Sequence, residues 1–163
     1  MKKNVALKGA LQPAPKVIVT VRDKAGRDNA LVVAYCGNCS YAPPMVMVGI
    51  VPSRFSYHMI KENGAFVAHL VKKDQTALYE CCGKQSGRDG DKLKKLGTKM
   101  KDGEKVNAAI LEECPVAIEC TVVDSIMTGS HEMFVGKVEC VHADEELVNP
   151  DGTIDFGKLD LME

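Results

Sequence analysis

The sequence feature that most constrains the fold is a pair of long apolar segments joined by a short polar turn. In residues 116–127, apolar and other side chains alternate with the two-residue period of a β-strand that has one buried face. Residues 133–143 repeat this pattern after a turn at residues 128–131. The pattern predicts two long antiparallel strands, around which a mainly β protein can assemble.

Shorter apolar runs predict four more strands, at residues 17–21, 29–36, 45–51 and 65–71. Helices are predicted after Ser53, which is a good N-cap, after Asp74, and over residues 91–96. Residues 38–44, which end in two prolines, are expected to be irregular, as a loop or a strand edge, and the polar residues 100–105 are expected to be a connection. Because strands dominate, we expect one domain over residues 1–163, an antiparallel β-barrel with helices inserted at its edge.

Composition argues against several classes of protein. The chain has 163 residues, 21 basic and 22 acidic side chains and no tryptophan, so it lacks the basic excess of a nucleic-acid-binding protein. No apolar stretch approaches the roughly 20 residues that span a bilayer, and no signal peptide is evident. We therefore expect a cytoplasmic protein that binds neither nucleic acid nor membrane. The odd number of cysteines, seven, argues against a disulfide framework.

The common nucleotide-binding and hydrolase motifs are missing. There is no GxGxxG after the first strand, no Walker A sequence and no GxSxG elbow. A different kind of anion site is indicated at residues 52–57, where a proline ends a strand and Ser53 and Arg54 open an expected helix. A helix N-terminus and a guanidinium fork suit a phosphomonoester. The alternative is an ordinary helix cap with a surface arginine.

Three further segments contain groups that could carry chemistry. Residues 86–92 form either a capped loop or a polar clamp over a ligand or a partner subunit. His131, at the hairpin tip, is either simply exposed or titrates beside a redox ligand. Cys36 and Cys39 have the CxxC spacing of zinc and thiol redox sites. Since no second ligand pair is evident, free thiols are favoured there and no metal site is predicted.

Taken in order, these segments resemble the flavin-reductase-like family, which includes flavoredoxins, over about residues 16–155. The resemblance is carried by TVRD at residues 20–23, GRDN at 26–29, YCG at 35–37, PSRFSY at 52–57, SGRD at 86–89, ECPV at 113–116 and GSH at 129–131. Their order and spacing make the resemblance specific. It implies an FMN-binding split β-barrel that works as a homodimer, with the flavin near the subunit interface.

The resemblance also implies roles for individual residues. The flavin phosphate would meet Ser53, Arg54 and Ser56, and the ring and ribityl chain would lie along residues 34–40, using backbone groups there. Residues 88–92 would approach the flavin or the neighbouring subunit, and His131, the candidate catalytic residue, would stand near the ring face or a nicotinamide. The cofactor-binding candidates are Ala34, Tyr35, Cys36, Gly37, Ser40, Ser53, Arg54, Ser56, Tyr57, Arg88, Asp89 and Lys92.

The activity that the resemblance implies is that of an FMN-binding oxidoreductase, a flavin reductase or flavoredoxin. It would move electrons from NADH or NADPH through FMN to free flavin, to a redox protein or to a monooxygenase partner. One alternative is an FMN electron-transfer protein without NAD(P)H activity. A second is a non-catalytic flavin- or metal-binding module, which only Cys36 and Cys39 support.

Overall fold

Strands form most of the regular structure in the computed structural model, which describes residues 1–163. The nine strands are β1 (Val17–Arg22), β2 (Asp28–Val33), β3 (Cys36–Tyr41), β4 (Pro44–Ile50), β5 (Ala65–Leu70), β6 (Met100–Asp102), β7 (Ala109–Leu111), β8 (Val116–Met127) and β9 (Glu132–Ala143). The three α-helices are α1 (Ser56–Asn63), α2 (Thr76–Lys84) and α3 (Lys92–Leu96). None of these helices has the length and apolar character that crossing a bilayer requires.

Seven strands form one antiparallel sheet in the order β2-β1-β5-β8-β9-β4-β3, and β6 pairs separately with β7. The edge strands β2 and β3 do not pair with each other, so the sheet curls without closing. The predicted mainly β, antiparallel split barrel is confirmed. The predicted hairpin of two long strands is present as β8 and β9.

Strand β1 is buried on both faces, and this double burial organises the core. Val17, Val19 and Val21 point into the curled sheet, where they join a cluster that includes Phe66 of β5 and Phe134 of β9. Ile18 points outward into a second cluster, built with side chains of α2, α3 and β7. Burying each such side chain contributes about 1.5–3 kcal/mol. The packing of α2 and α3 on β1 and β2 brings residues 82–92 next to the turn before α1.

Of the loop and the strand edge that the sequence allows for residues 38–44, the structure has a strand edge up to Tyr41, and part of the polar connection at residues 100–105 is also a strand. Residues 36–41 form β3, an edge strand that pairs with β4 and has an irregular register between Asn38 and Ser40. An edge strand pairs on one side only, so the poor strand propensity of glycine and asparagine destabilises the sheet little at this position. Residues 100–102 form β6, because the apolar strand β7 provides a partner for an otherwise polar segment.

The predicted helix starts are partly wrong. Helix α1 begins at Ser56 rather than directly after Ser53, and Phe55 occupies its N-cap without a side-chain hydrogen bond. Gln75, not Asp74, precedes α2, also without a side-chain cap. The helix predicted over residues 91–96 is present as α3, and Asp91 caps it, since its carboxylate accepts a hydrogen bond from the backbone N–H of Lys94 at 3.0 Å. At residues 51–57 a backbone turn replaces the expected cap: Arg54 N–H donates to the Val51 carbonyl at 2.9 Å.

Candidate functional site

A cavity of about 530 Å³ lies between the end of β2, the turn before α1 and the segment that joins α2 to α3. Four cationic side chains line it and no acidic side chain does, so we call it the cationic pocket. Its positive residues are Arg54, Lys84, Arg88 and Lys92. The remaining lining residues are Asn29, Leu31, Val32, Ala34, Ser53, Phe55, Ser56, Cys82, Gly83, Gln85, Ser86 and Gly87. Positive charges gathered around a concave surface favour an anionic ligand.

Arg54 differs from the other arginines in having no protein partner for its guanidinium. Arg22 and Arg27 donate to protein oxygens, and Arg88 donates to the carbonyl oxygen of Ser53 at 3.0 Å. Arg88 therefore braces the turn that presents Ser53 and Arg54, both of which are exposed. An arginine with free donors at the wall of a positive pocket can grip a phosphate through two parallel hydrogen bonds.

Hydrogen bonds of buried and partly buried polar groups hold the turn before α1 in place. The side-chain amide of Asn29 donates to the hydroxyl of Ser56 at 2.7 Å, and both residues are almost fully buried. Arg27 donates to the carbonyl of Gly87 and lies 4.8 Å above the ring of Phe55. A side chain at Gly87 would overlap that ring, so only glycine lets the segment approach so closely. These contacts fix the pocket in the absence of a ligand.

Lys92 contributes charge to the pocket, but two of the three N–H donors of its ammonium group are already used. Its ammonium group donates to the carbonyl oxygens of Cys82 at 3.0 Å and Gln85 at 2.7 Å. Burial lowers the pKa of Lys92 below its usual range. The side chain is therefore better suited to holding the segment between α2 and α3 together than to contacting a ligand directly.

A second cavity, of about 1150 Å³, adjoins the cationic pocket at Ala34, which lines both. Ten of its sixteen lining residues are hydrophobic, so we call it the apolar cavity. Tyr35, Met47 and Met133 form part of its wall. Cys36 also lines it, and burial raises the pKa of that thiol to about 11, so it is uncharged at neutral pH. The two cavities together suit a ligand with an anionic end and a flat apolar body.

His131 lies beside the apolar cavity without lining it. Its ring packs against Tyr35 with the centroids 4.8 Å apart, and its Nδ1 lies 2.7 Å from the hydroxyl of Ser130. The hairpin tip thus reaches the cavity wall through Tyr35. This placement gives the predicted catalytic histidine a position at the rim of the cavity.

Of the predicted binding residues, eight line one of the two cavities, namely Ala34, Tyr35, Cys36, Ser53, Arg54, Ser56, Arg88 and Lys92. Four line neither: Gly37, Ser40, Tyr57 and Asp89. Gly37 and Ser40 lie on the edge strand β3, where they pair with β4. The hydroxyl of Tyr57 is directed to Glu132, an interaction that raises the pKa of Tyr57. The backbone carbonyl of Asp89 accepts a hydrogen bond from Lys95 at 3.3 Å.

Sequence reasoning missed several residues of the pocket. Asn29 and Ser86 line it, and Arg27 braces it; all three stand in the motifs GRDN and SGRD, to which no such role was given. Lys84 and Gln85 also line it, and no signal in the sequence singles them out. They reach the pocket because α2 ends beside β2.

Comparison with known proteins agrees with this architecture. The sequence matches the model of the flavin reductase like domain over residues 10–157. Flavoredoxin of Desulfovibrio vulgaris (Miyazaki F) is 30% identical, with a TM-score of 0.89 over 97% of this chain and 85% of that chain. The FMN-binding protein of Thermus thermophilus, solved with bound 1-cyclohex-2-enone, is 27% identical, with a TM-score of 0.80 over 94% of this chain and 85% of that chain.

Among curated relatives, the NADH:riboflavin 5'-phosphate oxidoreductase of Streptomyces pristinaespiralis is 25% identical over 123 residues, which are 76% of this chain and 67% of that protein. The chain spans from 52% to 63% of the length of the first three curated relatives that it matches. The family match extends from the segment before β1 to the residues after β9. It includes every lining residue of the cationic pocket, and Tyr35, Met47 and Met133 of the apolar cavity. The chain belongs to the flavin-reductase-like family.

Proposed function

We propose that this protein binds FMN and acts as an oxidoreductase that passes electrons from NADH or NADPH to free flavin or to a redox or monooxygenase partner. The observation that carries the proposal is a pocket lined by four cations and no acid, which opens at Ala34 into an apolar cavity. FMN has the corresponding parts, a phosphomonoester and a flat ring. Membership of the flavin-reductase-like family supports the same cofactor.

The residues present fit FMN at both ends. Arg54 and the hydroxyl of Ser53 are exposed and would hold the phosphate, while Arg88 keeps their turn in place. Ser56 is buried and bonded to Asn29, so it would support this turn from within rather than contact the phosphate. The apolar cavity would exclude water from the ring.

FMN, when bound, supplies hydride and electron transfer, so the protein needs no nucleophile of its own. Tyr35 and Met133 would form a wall beside the ring. His131, packed on Tyr35, would contact the nicotinamide at the rim and orient it. In these roles the residues hold and orient the reacting groups and transfer no proton themselves.

The phosphate assignment is tested by titrating FMN and riboflavin into the protein and into its Arg54→Ala variant. Because a charge-assisted bidentate contact is lost, we expect FMN affinity to fall by about 10–100-fold, with riboflavin affinity nearly unchanged. Flavin fluorescence quenching measures both affinities. The matched control is Lys24→Ala, which removes a positive charge from an exposed turn outside both cavities. Equal weakening of FMN and riboflavin by Arg54→Ala would contradict the assignment.

A second candidate is an FMN electron-transfer protein without NAD(P)H activity, which the likeness to a flavoredoxin favours. Anaerobic titration of the FMN-loaded protein separates the two. Bleaching of the flavin absorbance by NADH or NADPH supports the oxidoreductase. Bleaching only by a reduced iron–sulfur protein supports the electron-transfer role.

A further inference from the structure

A separate cluster of ligand-type side chains lies on the β8–β9 hairpin. Cys140 and His142 are two residues apart on β9, so both point to the same face of that strand. Glu104, from the loop between β6 and β7, reaches the same place, with its Oε2 3.9 Å from the Sγ of Cys140. One donor atom from each of the three residues lies within 4.8 Å of the other two. None of the three lines the cationic pocket or the apolar cavity.

A buried carboxylate fixes the imidazole of this cluster. Glu119 of β8 has no exposed surface, and its Oε1 accepts hydrogen bonds from the backbone N–H groups of Lys105 at 2.8 Å and Val106 at 3.0 Å. Its Oε2 bonds to the Nε2 of His142. When Nε2 carries the proton toward this carboxylate, Nδ1 has the lone pair that binds a metal. In metal sites, the ring nitrogen of a ligating histidine that does not bind the metal typically donates to a carboxylate. This hydrogen bond orients the ring and fixes its tautomer.

We propose that Glu104, Cys140 and His142 bind a zinc ion, which ties the loop between β6 and β7 to strand β9. Thiolate, imidazole and carboxylate are the three ligand types that Zn²⁺ accepts, and three protein ligands leave a fourth position for water. Tetrahedral coordination with these bond lengths requires donor atoms about 3.5 Å apart. The three donor atoms lie within 4.8 Å of one another and Glu104 is exposed, so side-chain rotation would bring them to this separation. The site is independent of flavin binding.

The experiment uses the full chain, stripped of metal with a chelator and then dialysed against Zn²⁺ or Co²⁺. We expect one zinc ion per chain by metal analysis. The cobalt form should show the near-ultraviolet charge-transfer band of a thiolate ligand. Cys140→Ser should abolish that band, and Glu104→Gln should weaken zinc binding by about tenfold or more. Far-ultraviolet circular dichroism confirms that each variant is folded, and Glu104→Gln tests the site even if Cys140→Ser folds poorly, because Glu104 is exposed.

The matched control is the double variant Cys36→Ser/Cys39→Ser, which removes the other thiol pair with metal-like spacing. It should keep one zinc ion per chain and the cobalt band. Three results would overturn the proposal: no uptake of either metal, uptake that Glu104→Gln leaves at full affinity, or loss of uptake in the control variant. FMN affinity, titrated for the wild-type protein with and without zinc and for Glu104→Gln, should be the same in all three samples.

Discussion

At the scale of single residues, the strongest functional signal is an arginine without a protein partner. Arg54 could be found from the sequence because it stands beside Ser53 in one short motif after a strand. Arg27 and Lys84 could not, because they come from distant parts of the chain and reach the pocket only through tertiary packing. Local motifs therefore identify the part of a site that one segment provides, and they miss what packing adds.

His69 is a second informative residue, because its buried ring bridges two backbone groups. Its Nδ1 lies 3.1 Å from the carbonyl of Ile18, and its Nε2 accepts a hydrogen bond from the N–H of Leu111 at 3.0 Å. Only the neutral ring with its proton on Nδ1 satisfies both. The pKa of His69 is lowered to about 4, mainly by burial, with a smaller contribution from the nearby His142, while the bond to Ile18 opposes the shift.

The pH dependence of stability should report this histidine. The unfolded chain takes up the proton near pH 6.5 and the folded chain only near pH 4, so stability falls as the pH decreases through that window. We expect a loss of about 2 kcal/mol in unfolding free energy between pH 7 and pH 4.5. Urea unfolding with a chelator present measures it. His69→Gln, which keeps one donor and one acceptor, should flatten this slope, and an unchanged slope in that variant would refute the assignment.

At the scale of elements, strand prediction succeeds where the residues themselves repeat with a period of two. The segment of β8 was predicted with its observed bounds, because its alternation is long and its partner strand follows at once. For most of β3 the sequence left a loop and a strand edge open, since its residues form a strand only by pairing with β4 at the sheet edge. The caps expected at Ser53 and Asp74 are absent for a related reason. Backbone N–H groups near these helix starts donate to backbone carbonyls of local turns instead of to a capping side chain.

Gly136 of β9 has an importance that periodicity alone does not reveal. A Cβ at this position would lie 2.5 Å from the ring of Phe66 and 2.7 Å from the Cβ of Cys120, both in the core. Gly136→Ala should therefore lower the free energy of unfolding by about 1–3 kcal/mol through overpacking. Gly129→Ala is the control, because that position at the hairpin tip has no atom within 4 Å of an added Cβ. Chemical denaturation measures both, and equal stability of the two variants would contradict the packing argument.

At the scale of the whole molecule, the far end of the β8–β9 hairpin presents apolar side chains to solvent. Val123, Ile126 and Met127 are each at least half exposed, with Ile126 and Met127 on opposite faces of β8. Because exposed apolar side chains favour association, we propose a homodimer that covers this end of the hairpin, as the family resemblance implies. The sequence indicated the dimer only through that resemblance, because an apolar residue on a strand does not reveal which face remains uncovered.

The dimer is tested by sedimentation equilibrium. We expect the wild-type protein to have twice the monomer mass of 17.7 kDa. Ile126→Lys should shift it toward the monomer, because a charge in an apolar interface is not solvated. Val148→Lys, at an exposed position outside the hairpin, should leave the mass unchanged. A wild-type monomer at micromolar concentration, or a dimer that Ile126→Lys leaves intact, would contradict this surface as the interface.

The account depends on a phosphate being held by the turn before α1, and a crystal structure of the protein grown with excess FMN tests this most directly. The account predicts the phosphate between Ser53 and Arg54, with the flavin ring extending past Ala34 into the apolar cavity. A flavin bound elsewhere, or a cationic pocket that stays empty of FMN, would contradict it.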